Sequence, residues 1–245
     1  MASRVAVFNK SATKNHEFER YLTSSEPKSA TGVITLDSTA ACVVTLPLSY
    51  FVSNGGSSRS KGKADAMPYE SFRIINAQHR GGQAHSLVLI KSCAIATNPH
   101  HIAIFESNGR NKYCGVRIID DHKKSMVNVT KAYTSISPEH NINYGTNAYN
   151  PGYCGIYGII CIVAFRHYRR KTGSLWLTKW KKLLAQMSKS INPHAGCLGV
   201  ELAARVQEII ATTPSYACAE CEIVREIQAC LTVKQPQHLL HWLNI

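Results

Sequence analysis

One run of residues limits the folds open to this chain more than any other. From Cys154 to Phe165, the 12 consecutive residues CGIYGIICIVAF carry no charge. A helix that spans a bilayer needs about 20 apolar residues, so this run is too short to cross one. With Arg166 to Arg169 added the segment reaches 16 residues, well beyond a usual strand of about five or six. Periodicity alone does not separate a buried strand from a buried helix, but length favours the helix. The cations from Arg166 to Lys171 suit its C-terminal end, where the peptide dipoles sum to negative charge. An apolar helix of this kind belongs inside a core, and 245 residues with 44% hydrophobic content can supply one.

The rest of the chain arranges itself around that helix. Residues 32–36 and 41–46 are rich in β-branched side chains and read as strands, and 72–75 read as a short one. The stretch SNGGSSRSKGK, residues 53–63, is a loop by composition. His85 opens a short apolar strand ending at Ile90, and His101 opens a second that runs to Phe105 and closes on Glu106-Ser-Asn-Gly109. Two such strands with a turn-like connection through Asn98-Pro99 form an antiparallel hairpin most economically. Apolar spacing within 116–135, from about His122 to Tyr133, predicts an amphipathic helix, and 141–144 reads as one more strand. Beyond Cys154 the spacing predicts helices over 175–190, 200–212 and 221–232. The expected class is α+β: a mixed or antiparallel central sheet packed by helices, with a nucleophile at the N-terminus of a buried central helix. A single domain over 1–245 is expected, its core at about 70–170 and a helical part over 171–245.

The chemistry is carried by one thiol and one imidazole. A thiol becomes a nucleophile where its thiolate is favoured, as at a helix N-terminus or beside an imidazolium. Cys154 directly follows NAYNPGY, a segment dense in turn residues, and so stands at the expected start of the helix. Gly155 lets backbone amides approach a substrate carbonyl, and the Cys154 amide is a candidate oxyanion donor. His85 opens one strand of the hairpin and Glu106 closes its partner, so the two strand ends lie side by side although 21 positions separate them. His100 and His101 compete with His85 as base. Cys114, in the similar Tyr-Cys-Gly context, competes with Cys154 but runs into a strand-like segment. The ordinary fate of a cysteine is a buried inert thiol.

In this order, the segments GGQAHSLVLIK, HHIAIFESNG and NAYNPGYCGIYGIICIVAF resemble the adenovirus maturation protease family. More distantly they resemble the proteases of ubiquitin-like modifiers and the core-protein proteases of large DNA viruses. The resemblance covers about residues 75–170 and implies catalytic order His85, Glu106, Cys154, with Asn108 the alternative third residue. Those enzymes carry a Gln shortly before the nucleophile as an oxyanion donor; here Asn147, a shorter amide, stands seven residues before Cys154. Many members have Trp after the histidine, where this chain has Ser86. The resemblance further implies virion precursor proteins as substrates, cut at small-residue sites containing glycine. It implies no required cofactor, DNA as an activator, a peptide activator as a further partner, and residence in the virion and the host nucleus or cytoplasm.

Charge supports a polyanionic partner. Lys and Arg outnumber Asp and Glu 28 to 15, a net charge of +13. Arg166, Arg169, Arg170, Lys171, Lys179, Lys181, Lys182 and Lys189 fall in one stretch without an acid, and the first seven are the candidate nucleic-acid contacts. Trp176 and Trp180 lie within it at i, i+4, spaced either to stack on bases or to anchor a helix to the core. The opening residues MASRVAVFNK lack a signal-peptide apolar region, and nine cysteines is an odd count. The expectation is a chain that is not exported, with reduced thiols. His194-x-x-Cys197 and Cys218-x-x-Cys221 offer a zinc alternative, although a regular helix predicted between them disfavours a compact ribbon. The competing functions are a basic nucleic-acid-binding protein without catalysis and a ubiquitin-like-modifier protease.

Overall fold

A computed structural model of the chain describes residues 2–36, 45–47, 64, 66–79, 84–110, 117–120, 123, 125–128, 133–142, 153–192 and 196–232. Backbone contacts group the chain into two compact units: Thr23–Asn141, and a second that joins Met1–Leu22 to Ile142–Ile245. The helix opening at Cys154 therefore belongs with the C-terminal helices, upstream of the division near 171 that the sequence suggested.

The unit Thr23–Asn141 holds the strands. They are β1 (Ala30–Leu36), β2 (Thr45–Pro47), β3 (Ser71–His79), β4 (Ala84–Lys91), β5 (Ile102–Phe105), β6 (Arg117–Asp120), β7 (Ser125–Asn128) and β8 (Thr134–Ser135). Five form a mixed sheet in the order β1-β3-β4-β5-β8, parallel at both outer pairs and antiparallel in the centre. The class is thus α+β, with the mixed sheet among the two arrangements expected. Leu87 to Ile90 and Ile102 to Phe105 are buried without a break, so both faces of the central strands are covered. On one face Ile75, Ala77, Leu87, Leu89, Ile102 and Ile104 pack with Leu46, Ala64, Met67 and Tyr133 as one core.

Of the helix expected from about His122 to Tyr133, residues Ser125–Asn128 are instead strand β7, paired antiparallel with β6, and Thr134 with Ser135 pairs onto β5. β-Branched Ile118, Ile119 and Val127 suit a pleated strand better than a helix. Asn141 and Ile142 lie outside any strand, contrary to the strand expected there, and 143–144 lie outside the described residues. So do residues 41–44 of the second expected strand and the loop at 53–63.

The other unit is built from helices: α1 (Ala2–Ser24, nearly all within it), α2 (Cys154–Thr172), α3 (Trp176–Met187), α4 (Leu198–Thr212) and α5 (Tyr216–Thr232), with a small β9–β10 ladder at Ser190–Asn192 and Gly196–Cys197. Residues Ile156 to Arg166 are buried in unbroken succession, which for a helix means cover on every side. Trp176 and Trp180 are each 1% exposed, and Trp176 meets Phe165 edge-on. They anchor α3 to the core.

Arg166 corrects the charge reading. It is 3% exposed and is withdrawn from the basic surface. Its Nε and Nη2 donate to the two Glu220 carboxylate oxygens at 2.7 and 3.1 Å, and Nη1 donates to the Leu22 carbonyl at 2.9 Å. Tyr21 donates to Glu220 as well. One ion pair thereby ties α1, α2 and α5, and the rings of Phe18, Tyr21 and Tyr216 pack beside it. The helix α1 was not anticipated; its visible signal is only the apolar pair Phe18 and Leu22 at i, i+4. Removing one member of a buried ion pair strands the other charge. Glu220→Ala is expected to cost about 3–5 kcal/mol in urea denaturation, and the paired change Arg166→Met with Glu220→Leu markedly less.

Candidate active site

The hairpin expected from the sequence forms, and its register decides which side chains meet. Val88 pairs with Phe105 and Leu89 with Ile104, so Glu106, one step past the ladder, lies across from Leu87. Side chains alternate between faces, and His85 therefore shares a face with Leu87 and Glu106 as a diagonal neighbour. On the other side His85 pairs with Ala77 of β3, a small residue. The imidazole Nε2 lies 2.8 Å from Glu106 Oε1, with the two side chains 14% and 4% exposed.

The carboxylate is held by more than the imidazole. Glu106 Oε1 also accepts the Asn108 backbone N–H at 2.6 Å, and the Glu106 N–H donates to Ser137 Oγ at 2.9 Å. Glu106 Oε2 is buried and has no hydrogen-bond partner among the described residues. Of the two candidates for the third residue, Glu106 supplies the oxygen facing His85, while Asn108 brings a backbone amide to that same oxygen. Gly109 completes the turn at φ +91°, and a Cβ there would stand 2.7 Å from the His140 carbonyl carbon. Ser86, beside His85 but on the opposite face, donates to Asn76 Oδ1 of β3. His100 and His101 stand at the start of β5, beside the Lys91 end of β4 and at the far end of the hairpin from His85. They are not the histidines at the acid.

Cys154 belongs to the helical unit and is the first residue of α2. The first ladder bond of the helix runs from the Tyr157 N–H to the Tyr153 carbonyl at 2.8 Å. The amides of Cys154, Gly155 and Ile156 thus come ahead of the intrahelical ladder. No acidic side chain stands in the first turn and Tyr153 gives no side-chain cap. An anion at Cys154 would meet the positive end of the dipole without competition from a carboxylate in that turn. Tyr157, fully buried, donates to the Ile142 carbonyl at 2.9 Å and ties the helix start to the segment before it.

Other cysteines are placed differently. Cys161 is buried within α2, and desolvation pushes its thiol well above the ordinary range. Burial raises Cys230 to about 11. Both suit inert packing. Cys93, Cys218 and Cys221 are exposed, the last two in the opening turns of α5. Cys114, Asn147 and His194 lie outside the described residues. Among the described residues no group of three or more His, Cys, Asp or Glu is placed to hold a metal.

The basic candidates other than Arg166 remain at the surface of the helical unit. Arg170, Lys171, Lys179, Lys181 and Lys182 are exposed, as is Lys189. Arg169 is partly exposed, with its guanidinium 5.1 Å from the Phe165 ring centroid. The residue beyond the sequence expectation is Ser137, while Gly109 was expected only as the end of the closing segment 106–109.

The chain matches no protein-family model, no curated protein and no solved structure.

The turn behind Glu106 makes a direct test of this geometry. Gly109→Ala combines a disfavoured φ with overlap onto backbone and is expected to cost about 2–3 kcal/mol. Gly32→Ala in β1, where an added Cβ meets nothing within 4 Å, is expected to stay within about 0.5 kcal/mol in the same denaturation series.

Proposed function

We propose that this chain is a cysteine endopeptidase with Cys154 as nucleophile, His85 as its base and Glu106 as the group that orients the imidazole. The observation that carries the proposal is the enclosed His85–Glu106 contact at 2.8 Å across two strands. An ionised carboxylate only accepts, so it selects the tautomer with the proton on Nε2 and the basic lone pair on Nδ1. That lone pair is the one suited to take a thiol proton. The position of Cys154 at a helix start whose first turn carries no acid is the second support.

In this mechanism His85 Nδ1 accepts the Cys154 proton and the thiolate adds to the scissile carbonyl. The Cys154 amide, with Asn147 as the proposed second donor, stabilises the oxyanion. The imidazolium then protonates the departing amine, leaving a thioester. His85 takes a proton from water, hydroxide adds to the thioester carbon, the C–S bond breaks, and the Cys154 sulfur takes the proton back from His85 as the carboxylic acid departs. The mechanism requires the Cys154 thiol to come within hydrogen-bond reach of His85. No metal or organic cofactor enters these steps.

The resemblance to the adenovirus maturation protease family supplies the biological proposal: a viral maturation protease acting on virion precursor proteins at glycine-containing sites, in the virion and the host nucleus or cytoplasm. DNA is the proposed activator, supported by the exposed cations of α2 and α3. A peptide activator is a further proposed partner. A modifier-processing enzyme would instead cut after a Gly-Gly tail. The same cations favour one reading without catalysis, a nucleic-acid-binding protein; it predicts unaltered DNA binding in Cys154→Ser and no substrate cut by the native chain. No helix among the described residues is long and apolar enough to cross a membrane.

A limiting dose of iodoacetamide near neutral pH, with sites mapped by mass spectrometry, tests the dyad. Cys154 is expected to label first among the nine cysteines, and His85→Ala to abolish that preference. Even labelling, or labelling led by Cys114, would overturn the dyad. Against a precursor-derived peptide library, Cys154→Ala is expected to lose about 10³-fold or more in kcat. His85→Ala should lose about 10²–10⁴-fold and Glu106→Ala about 10–10²-fold. Equal losses at His85 and Glu106 would contradict a purely orienting role for the acid.

A further inference from the structure

Glu106 stands just past the end of β5, where strand pairing no longer serves it. The last β4 partner on β5 is Val88, opposite Phe105. On the β8 side, the ladder continues only as far as the Ile136 N–H, which donates to the Ile104 carbonyl at 2.9 Å. A buried N–H beyond both ladders needs another acceptor. The Ser137 hydroxyl supplies it at 2.9 Å, and its own proton goes to the Ile104 carbonyl at 3.3 Å. Ser137 is itself buried.

The chain around Ser137 also backs the turn that follows the acid. The Arg110 N–H donates to the Pro138 carbonyl at 3.0 Å and Arg110 Nε to the Ser137 carbonyl at 3.1 Å. Gly109 lies against the His140 carbonyl group so closely that a Cβ would not fit. The turn folds the Asn108 N–H onto Glu106 Oε1, the oxygen that His85 also contacts. The direction of the carboxylate thus depends on a turn whose two sides are both tied to 137–140.

We propose that Ser137 is a positioning residue for the proposed peptidase: its hydroxyl fixes the end of β5 and so aims the Glu106 carboxylate at His85 Nε2. This rests on the peptidase reading for its role in catalysis, but its structural core is testable without turnover. Ser137 touches neither His85 nor a substrate in this scheme and acts only through Glu106.

The first test is solvent exchange of the His85 imidazole proton, followed by NMR of the full chain labelled with 15N-histidine and carrying Cys154→Ala. A protected downfield N–H line is expected, assigned by its loss in His85→Gln. Ser137→Ala should speed its exchange by about tenfold or more, the equivalent of one lost hydrogen bond. Ser137→Thr, which keeps the hydroxyl, should hold exchange near the native rate. Unchanged exchange in folded Ser137→Ala, rapid exchange in folded Ser137→Thr, or no His85 line in the native side chain set would each overturn the proposal. Should Ser137→Ala not fold, the Ser137→Thr spectrum decides alone.

The second test is kinetic. Ser137→Ala should lower kcat by up to about 10²-fold with KM little changed, as misaimed catalytic groups do. In a Glu106→Ala background the same change should have no further effect, and an added tenfold loss there would overturn action through Glu106. A native chain that cuts no peptide would sink the peptidase reading while the exchange experiment still decides the role of Ser137.

Discussion

The register of β3, β4 and β5 is the constraint on which the candidate site depends. A strand has a period of two, and a slip of one residue would carry His85 to the face opposite Glu106. Apolar pattern does little to prevent that slip, because Leu87 to Ile90 and Ile102 to Phe105 are apolar at every position and buried on both faces. What distinguishes the observed register is polar. Asn76 and Ser86 fall opposite one another and hydrogen-bond on one face, while Ala77 falls opposite His85 on the other and adds no bulk there. A slipped register would bury those polar groups without each other, at the cost of an unsatisfied bond.

The helical unit rests on a different constraint. A helix covered on every side must satisfy whatever polar group it carries inward, and α2 carries a guanidinium. Arg166 is held by the Glu220 carboxylate from α5 and by the Leu22 carbonyl from α1. The geometry is close to a fork against a fork, which suits arginine and would not be reproduced by lysine. Six residues of the same basic stretch, Arg170, Lys171, Lys179, Lys181, Lys182 and Lys189, stay at the surface. A charge run in sequence therefore contains two populations with opposite roles, one holding the fold and one facing solvent.

The parts of the fold legible in the chain were those with an unambiguous length or pattern. The apolar run after Cys154 was too long for a strand, and α2 begins at that cysteine. The strands at His85 and His101 had the short apolar form and the turn between them that make a hairpin, and they pair antiparallel. The stretch from about His122 to Tyr133 misled because its apolar spacing resembled a helix, whereas Ser125–Asn128, with β-branched Val127, pairs as β7 with β6. The N-terminal helix escaped because its anchoring side chains, Phe18 and Leu22, are few among polar neighbours, and its partners Tyr216 and Glu220 are almost 200 residues distant.

For the candidate site the sequence by itself determined the residue types, their order and the local elements: a histidine at a strand start, an acid at the end of the next, a cysteine opening a helix. These follow from short-range patterns of polarity and turn chemistry. It also narrowed the third residue to Glu106 or Asn108. Tertiary structure decided that Glu106 faces His85, that Asn108 contributes its amide, and that Ser137 and Gly109 hold the turn between them. It also decided which arginine is buried. These outcomes depend on register, on φ at one glycine and on which distant carbonyl or carboxylate reaches a donor. The bonds of Glu106 to His85 and Ser137 and of Arg166 to Glu220 and Leu22 join segments far apart in the chain, and no local pattern encodes them.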